Sequence, residues 1–129
     1  MLQMEMIWNA RSVLSGVINK TPLIPAGEVN GGSLYLKAEC LQKTGAFKLR
    51  GAYYKISCLS DEERERGLVT ASAGNHAQGV AYAAKAYGCR AVIVMPTTTP
   101  LIKVNRTKGY GAQVVLHGDV YDEAAAYAM

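Results

Sequence analysis

Apolar positions near the start of the chain recur at helical spacing. Ile7, Ala10, Leu14 and the Val17–Ile18 pair share one face, which predicts a helix over residues 5–19, stopped by Thr21-Pro22. Two extended pieces follow, Leu23-Ile24 and residues 34–38. Asn30-Gly31-Gly32 separates them, and its glycines supply the positive φ that a turn needs. Phe47, Tyr54 and Ile56 mark a second helix over 46–59. The charged run 61–66 reads as a solvated connector, and a domain boundary is expected beside it. Residues 1–58 would then form a piece of one domain and residues 59–129 a second, small domain.

Past residue 66 the pattern becomes regular. Apolar runs at 68–72, 90–95 and 112–116 read as buried strands, and each begins 22 residues after the one before. Between them, 75–87 carries Ala77, Val80, Ala81 and Ala84 on one face, and 100–108 carries Leu101, Val104 and Lys108 in register. Gly88 and Gly109 sit where helix C-caps belong, and Thr99-Pro100 reads as an N-cap followed by a first-turn proline. Strand and helix alternating at this spacing predict an α/β domain: a small three-layer parallel sheet with right-handed crossovers. Asp119 reads as an N-cap, and helix-forming residues run from Tyr121 to Met129 without a stop signal. The chain therefore reads as cut off within a helix, with 1–58 an incomplete part of a larger domain.

Composition narrows the class. The 129 residues are 50% hydrophobic and 19% charged, the balance of a compact soluble domain. No apolar run approaches the ~18 residues of a membrane span, so no membrane partner is expected. Glu5 interrupts the start before any sustained apolar stretch, which argues against a secretory signal. Cys40, Cys58 and Cys89 are odd in number and include no C-x-x-C pair. That disfavours a disulfide scaffold or a zinc site, favours simple packed thiols, and suits a reducing cytoplasm. Residues 1–58 hold seven Lys/Arg and three Asp/Glu, whereas 59–129 hold seven of each, so the net charge of +4 comes from the first part. Basic residues scattered singly are no nucleic-acid footprint, but they suit a small anionic ligand.

Two segments carry candidate chemistry. In residues 43–51, Lys-Thr-Gly-Ala-Phe-Lys-Leu-Arg-Gly, a small-residue turn leads into a helix with Lys48 in its first turn. The positive end of the helix dipole and the neighbouring Arg50 both favour a neutral amine, which can form a Schiff base with an aldehyde. An ordinary surface lysine is the plainer alternative. In residues 70–79, Thr-Ala-Ser-Ala-Gly-Asn-His-Ala-Gln-Gly, a strand ends at Ser72, Gly74 permits a tight turn and a helix opens at Asn75. Free N–H groups there, with the Ser72 hydroxyl, could cradle a carboxylate or phosphate. Ser72 or Asn75 acting only as a helix cap is the alternative.

In order and spacing, the two segments resemble the threonine/serine dehydratases, pyridoxal-phosphate enzymes of the tryptophan-synthase-β fold. The resemblance extends to Lys20-Thr-Pro-Leu, Leu34-Tyr-Leu-Lys-Ala-Glu, Val94-Met-Pro and Val114-Val-Leu-His-Gly-Asp. Phe47 before the lysine, Leu49-Arg50-Gly51 after it and the Asn75-His76 pair favour this branch over the cysteine synthases. The resemblance implies that Lys48 is the Schiff-base lysine and that Phe47 walls the cofactor's pyridine ring. It also implies that Asn75 hydrogen-bonds the phenolic oxygen, while Ser72, Ala73, Gly74, Asn75 and His76 hold the substrate carboxylate. Ala46 stands where serine is common. In that family the phosphate-binding glycine loop and the partner of the pyridine nitrogen come from positions past 129.

The implied activity is β-elimination from L-threonine, giving 2-oxobutanoate and ammonia, in a homo-oligomeric enzyme of isoleucine biosynthesis or threonine catabolism. Serine racemase or serine dehydratase activity uses the same motifs. A non-catalytic truncated domain is a rival of another class. His117 reads as structural. Gly109-Tyr-Gly111 precedes a strand and lacks a third glycine, so it is no dinucleotide fingerprint. Trp8 and the tyrosines read as core or rim.

Overall fold

A computed structural model describes residues 3–129. The first helix, α1 (Met4–Leu14), is shorter than the periodicity predicts. Ser15 is extended and Gly16 turns left-handed at φ 76°. The Val17 and Ile18 N–H groups then fold back onto the Leu14 carbonyl at 3.1 and 3.3 Å. Gly16, and not Thr21-Pro22, therefore ends the helix.

The extended pieces form an antiparallel hairpin, β1 (Leu23–Val29) and β2 (Gly32–Lys37). Asn30 at φ 49° and Gly31 at φ 77° make the turn, both left-handed as a two-residue hairpin loop requires. The register slips between Pro25 and Glu28, at a bulge. Both strands are exposed along their whole length.

Two short 3₁₀ turns, Glu39–Leu41 and Lys43–Gly45, lead to α2 (Lys48–Ser57). The charged run 61–66 is not a connector but a helix, α3 (Asp61–Arg66). Ser60 Oγ accepts the Glu63 N–H at 3.2 Å, and the Glu63 carboxylate accepts the Ser60 N–H at 2.8 Å. That reciprocal capping is written in the sequence as Ser-x-x-Glu, so the helix was foreseeable.

The three apolar runs form a parallel sheet in the order β3 (Leu68–Ala71), β4 (Ala91–Met95), β5 (Gln113–Leu116). They alternate with α4 (Asn75–Ala86), α5 (Leu101–Gly109) and α6 (Tyr121–Ala128). The expected α/β class and parallel sheet are both present. Three boundary details differ. Pro100 lies just outside α5 with extended ψ, and the Thr99 hydroxyl is buried with no partner among the described residues instead of capping. Gly109 is still helical, and the left-handed turn after α5 falls at Gly111 (φ 93°). Asp119 does not cap α6. Its carboxylate accepts the Thr97 hydroxyl at 2.8 Å, and its N–H donates to Glu123 at 2.6 Å.

On one face of the sheet, Ala91, Ile93 and Met95 pack against Ala77, Ala81 and Ala84 of α4 and Val104 of α5. Alanines on α4 allow close approach of helix and sheet. On the other face α6 lies over β3 and β4, where Val94 and Ala124 are buried. A second cluster joins α2 to α4 through Ala52, Ile56, Val80 and Ala83, with Leu59 and Tyr87 at its margin. That contact brings the lysine helix against α4, which itself packs on the sheet. Cys89 packs beside both clusters, whereas Cys40 and Cys58 are exposed and so are not packed thiols. Trp8 is also exposed, with the Arg11 guanidinium 5.4 Å from its ring centroid.

Candidate active site

The site assembles at the N-terminal ends of α2 and α4. Lys48 is the first residue of α2, solvent-accessible, with Nζ 5.2 Å from the centroid of the Phe47 ring. Phe47 itself is 58% exposed, so its ring is accessible beside the Lys48 amine. The loop before it is tightly constrained. The carboxamide of Gln42, a buried residue, accepts the Asn19 N–H at 2.8 Å and donates to the Asn19 carbonyl at 2.9 Å, and it also accepts the Lys43 N–H. Thr44 then adopts φ 69°, a conformation costly for a β-branched residue, and its hydroxyl is buried without a partner among the described residues. Nothing in the spacing of residues marked Gln42 or Thr44 for these positions.

Arg50 is not free to act on Lys48. Its guanidinium grips Glu39 with two bonds, 2.9 and 2.7 Å, and Glu39 also accepts the hydroxyl of buried Thr21 at 2.6 Å. This pairing, chiefly the Arg50 hydrogen bonds, lowers the Glu39 carboxyl to about 2 despite partial desolvation. The Arg50 charge, expected to act on Lys48, is paired with Glu39 instead. Arg50 thus ties the first turn of α2 to the 3₁₀ turn that follows β2.

The turn between β3 and α4 faces this helix start. The Ser72 N–H continues the sheet ladder to the Val94 carbonyl, and Ser72 Oγ accepts the N–H groups of Gly74 at 3.3 Å and Ala77 at 3.2 Å. The hydroxyl thus satisfies one of the orphan donors of α4, and its own proton remains to be given. Asn75 and His76 occupy the first two positions of α4, where backbone N–H groups have no intrahelical acceptor. Ala73 and Gly74 form the floor of the turn, and a Cβ built on Gly74 would meet nothing within 4 Å. His76 keeps solvent contact, yet partial burial, and after it the charge of Lys48, hold its imidazole below the ordinary range. The two motifs therefore lie within electrostatic reach of each other, and all the residues singled out in the sequence sit on these two helix starts.

One further residue joins them. Gly79 of α4 lies against the backbone of α2: a Cβ there would stand 3.2 Å from the Lys48 carbonyl carbon and 3.2 Å from the Leu49 nitrogen. His117 lies apart from this site and stacks on Tyr127 at 4.0 Å. Among the described residues no cluster of His, Cys, Asp and Glu could hold a metal ion, and no helix is long and apolar enough to cross a membrane.

A primary amine beside an exposed aromatic ring, facing a turn with free N–H donors, is a donor set that fits an aldehyde cofactor and an anionic substrate. Comparison with known proteins bears on the class. Residues 14–129 match the family model described as pyridoxal-phosphate dependent enzyme, and the chain belongs to that family. Across its whole length it is 53% identical to the L-threonine ammonia-lyase of Thermotoga maritima, covering 33% of that protein. It resembles processed threonine deaminase isoform 2 from Solanum lycopersicum with a TM-score of 0.86 and 43% identity, over 97% of this chain and 38% of that one. Maize serine racemase is similar at a TM-score of 0.88 and 36% identity, over 98% of this chain and 39% of that one. The chain spans about a third of the length of the curated relatives it matches.

Proposed function

We propose that these residues form part of a pyridoxal-phosphate enzyme that converts L-threonine to 2-oxobutanoate and ammonia. The observation that carries this reading is the meeting of the two helix starts: the α2 backbone at Lys48 and Leu49 lies against Gly79 of α4, and the Lys48 charge reaches His76. The identity with a threonine ammonia-lyase supports the substrate class. On this reading residues 1–58 belong to a larger domain and 59–129 to a small one. The packing of α2 on α4 supports a catalytic seam between them.

Bound there, the cofactor supplies an electron sink for charge that develops at the substrate Cα. Lys48 Nζ would hold its aldehyde carbon, and as a free amine it would be placed to take the substrate Cα proton. Phe47 offers an aromatic face, and the Asn75 carboxamide a hydrogen-bond donor, to the ring. The Asn75 and His76 N–H groups and the Ser72 hydroxyl proton hold the substrate carboxylate, with the positive end of the α4 dipole behind them. Fixing the carboxylate orients the Cα–H bond towards Lys48. A cytoplasmic homo-oligomer working in threonine breakdown or isoleucine formation accords with this reading.

The likeness to maize serine racemase favours a second reading, reversible proton exchange at serine Cα. Product analysis decides. The full-length protein, given L-threonine and L-serine, should form 2-oxobutanoate faster than D-serine or pyruvate, and Lys48→Ala should abolish all three. Dominant D-serine would replace the first reading with the second.

A further inference from the structure

We propose that Gly79 is a positioning residue for Lys48, setting the distance between α2 and α4 so that the amine meets the Ser72–His76 turn in reacting geometry. The inference rests on the function proposed above, with Lys48 as the reacting amine.

A glycine inside a helix is less favourable than alanine, because the unfolded chain has more freedom to lose. Two other helical glycines, Gly51 and Gly109, have nothing within 4 Å of an added Cβ. Gly79 differs. It is buried, and the atoms nearest its missing Cβ are the Lys48 carbonyl carbon and Leu49 nitrogen, each at 3.2 Å, and Leu49 Cα at 3.3 Å. All three are backbone, so no side chain can swing aside to make room. Leu49 is fully buried, and α2 is anchored to α4 further along through Ala52, Ile56, Val80 and Ala83. A methyl group at 79 would therefore act as a wedge under the first turn of α2. The turn must rise by a few tenths of an ångström, and the peptide that moves is the one carrying Lys48. The Arg50–Glu39 pair, 2.7 Å at its shorter contact, restrains the same turn from the 3₁₀ turn Glu39–Leu41. Lys48 is thus seated between a contact on α4 and a tether to the 3₁₀ turn after β2.

Proton transfer and bond formation depend steeply on such distances; a misplacement of about 1 Å costs on the order of a hundredfold in rate. In the full-length protein, Gly79→Ala should lower kcat for threonine roughly tenfold while KM changes much less, because the carboxylate turn is left in place. A readout independent of turnover is the rate at which pyridoxal phosphate added to the apoprotein becomes fixed to Lys48 by borohydride, mapped by mass spectrometry. That rate should fall in parallel with kcat, with the melting temperature nearly unchanged, and Gly79→Val should fall further on both measures. Labelling and kcat equal to wild type would overturn the role of Gly79 while leaving Lys48 as the reacting group. A variant that loses melting temperature and activity together, or does not fold, would also overturn it, since the contact would then support the fold rather than the lysine. Label found on another lysine in the wild type would sink the assignment of Lys48, and the proposal for Gly79 with it.

Discussion

Arg50 and Glu39 are joined by two hydrogen bonds, Nε to Oε2 at 2.9 Å and Nη2 to Oε1 at 2.7 Å, two residues beyond Lys48 in the chain. Neither side chain is far from solvent, yet Glu39 is less exposed than Arg50, 16% against 31%. The bidentate geometry fixes direction as well as distance, so the pair orients the start of α2 and does more than attract it.

The first prediction concerns the pH dependence of that pair. Glu39 titrates at about 2 in the folded chain against an ordinary value of 4.5, so the folded state binds fewer protons than the unfolded one between those limits. Its stabilising contribution is fully present above pH 4.5 and is lost as pH falls towards 2. Glu39→Gln should cost about 1.5–3 kcal/mol near neutrality. It should also flatten the acid limb of a denaturation-versus-pH curve. A variant whose acid limb matched the wild type would show that another carboxylate governs it.

A second prediction tests the meeting of the two motifs. His76 should titrate below the ordinary imidazole value when followed by NMR, and Lys48→Met should raise it only part of the way back. Desolvation, the larger cause, remains in that variant. With its folded value lowered, His76 binds fewer protons when folded. Stability should therefore rise with pH through the window between the lowered value and 6.5. No response of His76 to Lys48→Met would separate the two groups.

Much of this site was legible because its parts are local. The strands of the sheet are short apolar runs, and their helices begin and end at turn residues, so a 22-residue recurrence was enough to read the sheet and place Ser72 at a strand end. Lys48 and the Asn75-His76 pair carried their own motifs. What escaped depends on partners far along the chain. Gly79 reads as an ordinary helical glycine until α2 is laid across it, and Arg50 reads as a free charge until Glu39 arrives from the 3₁₀ turn after β2. Gln42, held to Asn19, belongs to the same class. The misplaced end of α1 has another cause: Val17 and Ile18 keep the apolar period, but Gly16 breaks the backbone beneath them.

Ser72→Ala is the third prediction, and two separable effects are expected of it. Loss of the oxygen removes the acceptor for the Gly74 and Ala77 N–H groups, and Ala77 is fully buried. Stability should fall by about 1 kcal/mol, the usual worth of a helix cap. On the proposed reading, loss of the hydroxyl proton also removes a donor to the substrate carboxylate, so KM for threonine should rise severalfold while kcat changes less. Thermal melting and steady-state kinetics on one preparation separate the two. Stability loss with an unchanged KM would leave Ser72 as a cap alone.

The last prediction concerns the 129-residue chain purified by itself, which should associate or aggregate and should not deaminate threonine. The hairpin β1–β2 is the reason for the first part. Both of its strands are exposed throughout, with Leu23 61% and Leu36 55% accessible, and a lone two-stranded hairpin is marginally stable in water. Ile7 and Trp8 on α1 are further exposed apolar side chains. The reason for the second part lies in the donor set. A dianionic phosphate needs several convergent N–H groups. Those at the start of α4 are already assigned to the substrate carboxylate. Lys48 could still condense with free aldehyde, but the ring would then be held at one atom and free to turn against Asn75. Proton transfer requires that orientation more than it requires a reactive amine. The check is ammonia release from L-threonine with added pyridoxal phosphate, measured against cofactor alone and against Lys48→Ala in the same chain. Release above the free-cofactor rate that disappears in Lys48→Ala would show that the residues described here suffice for catalysis.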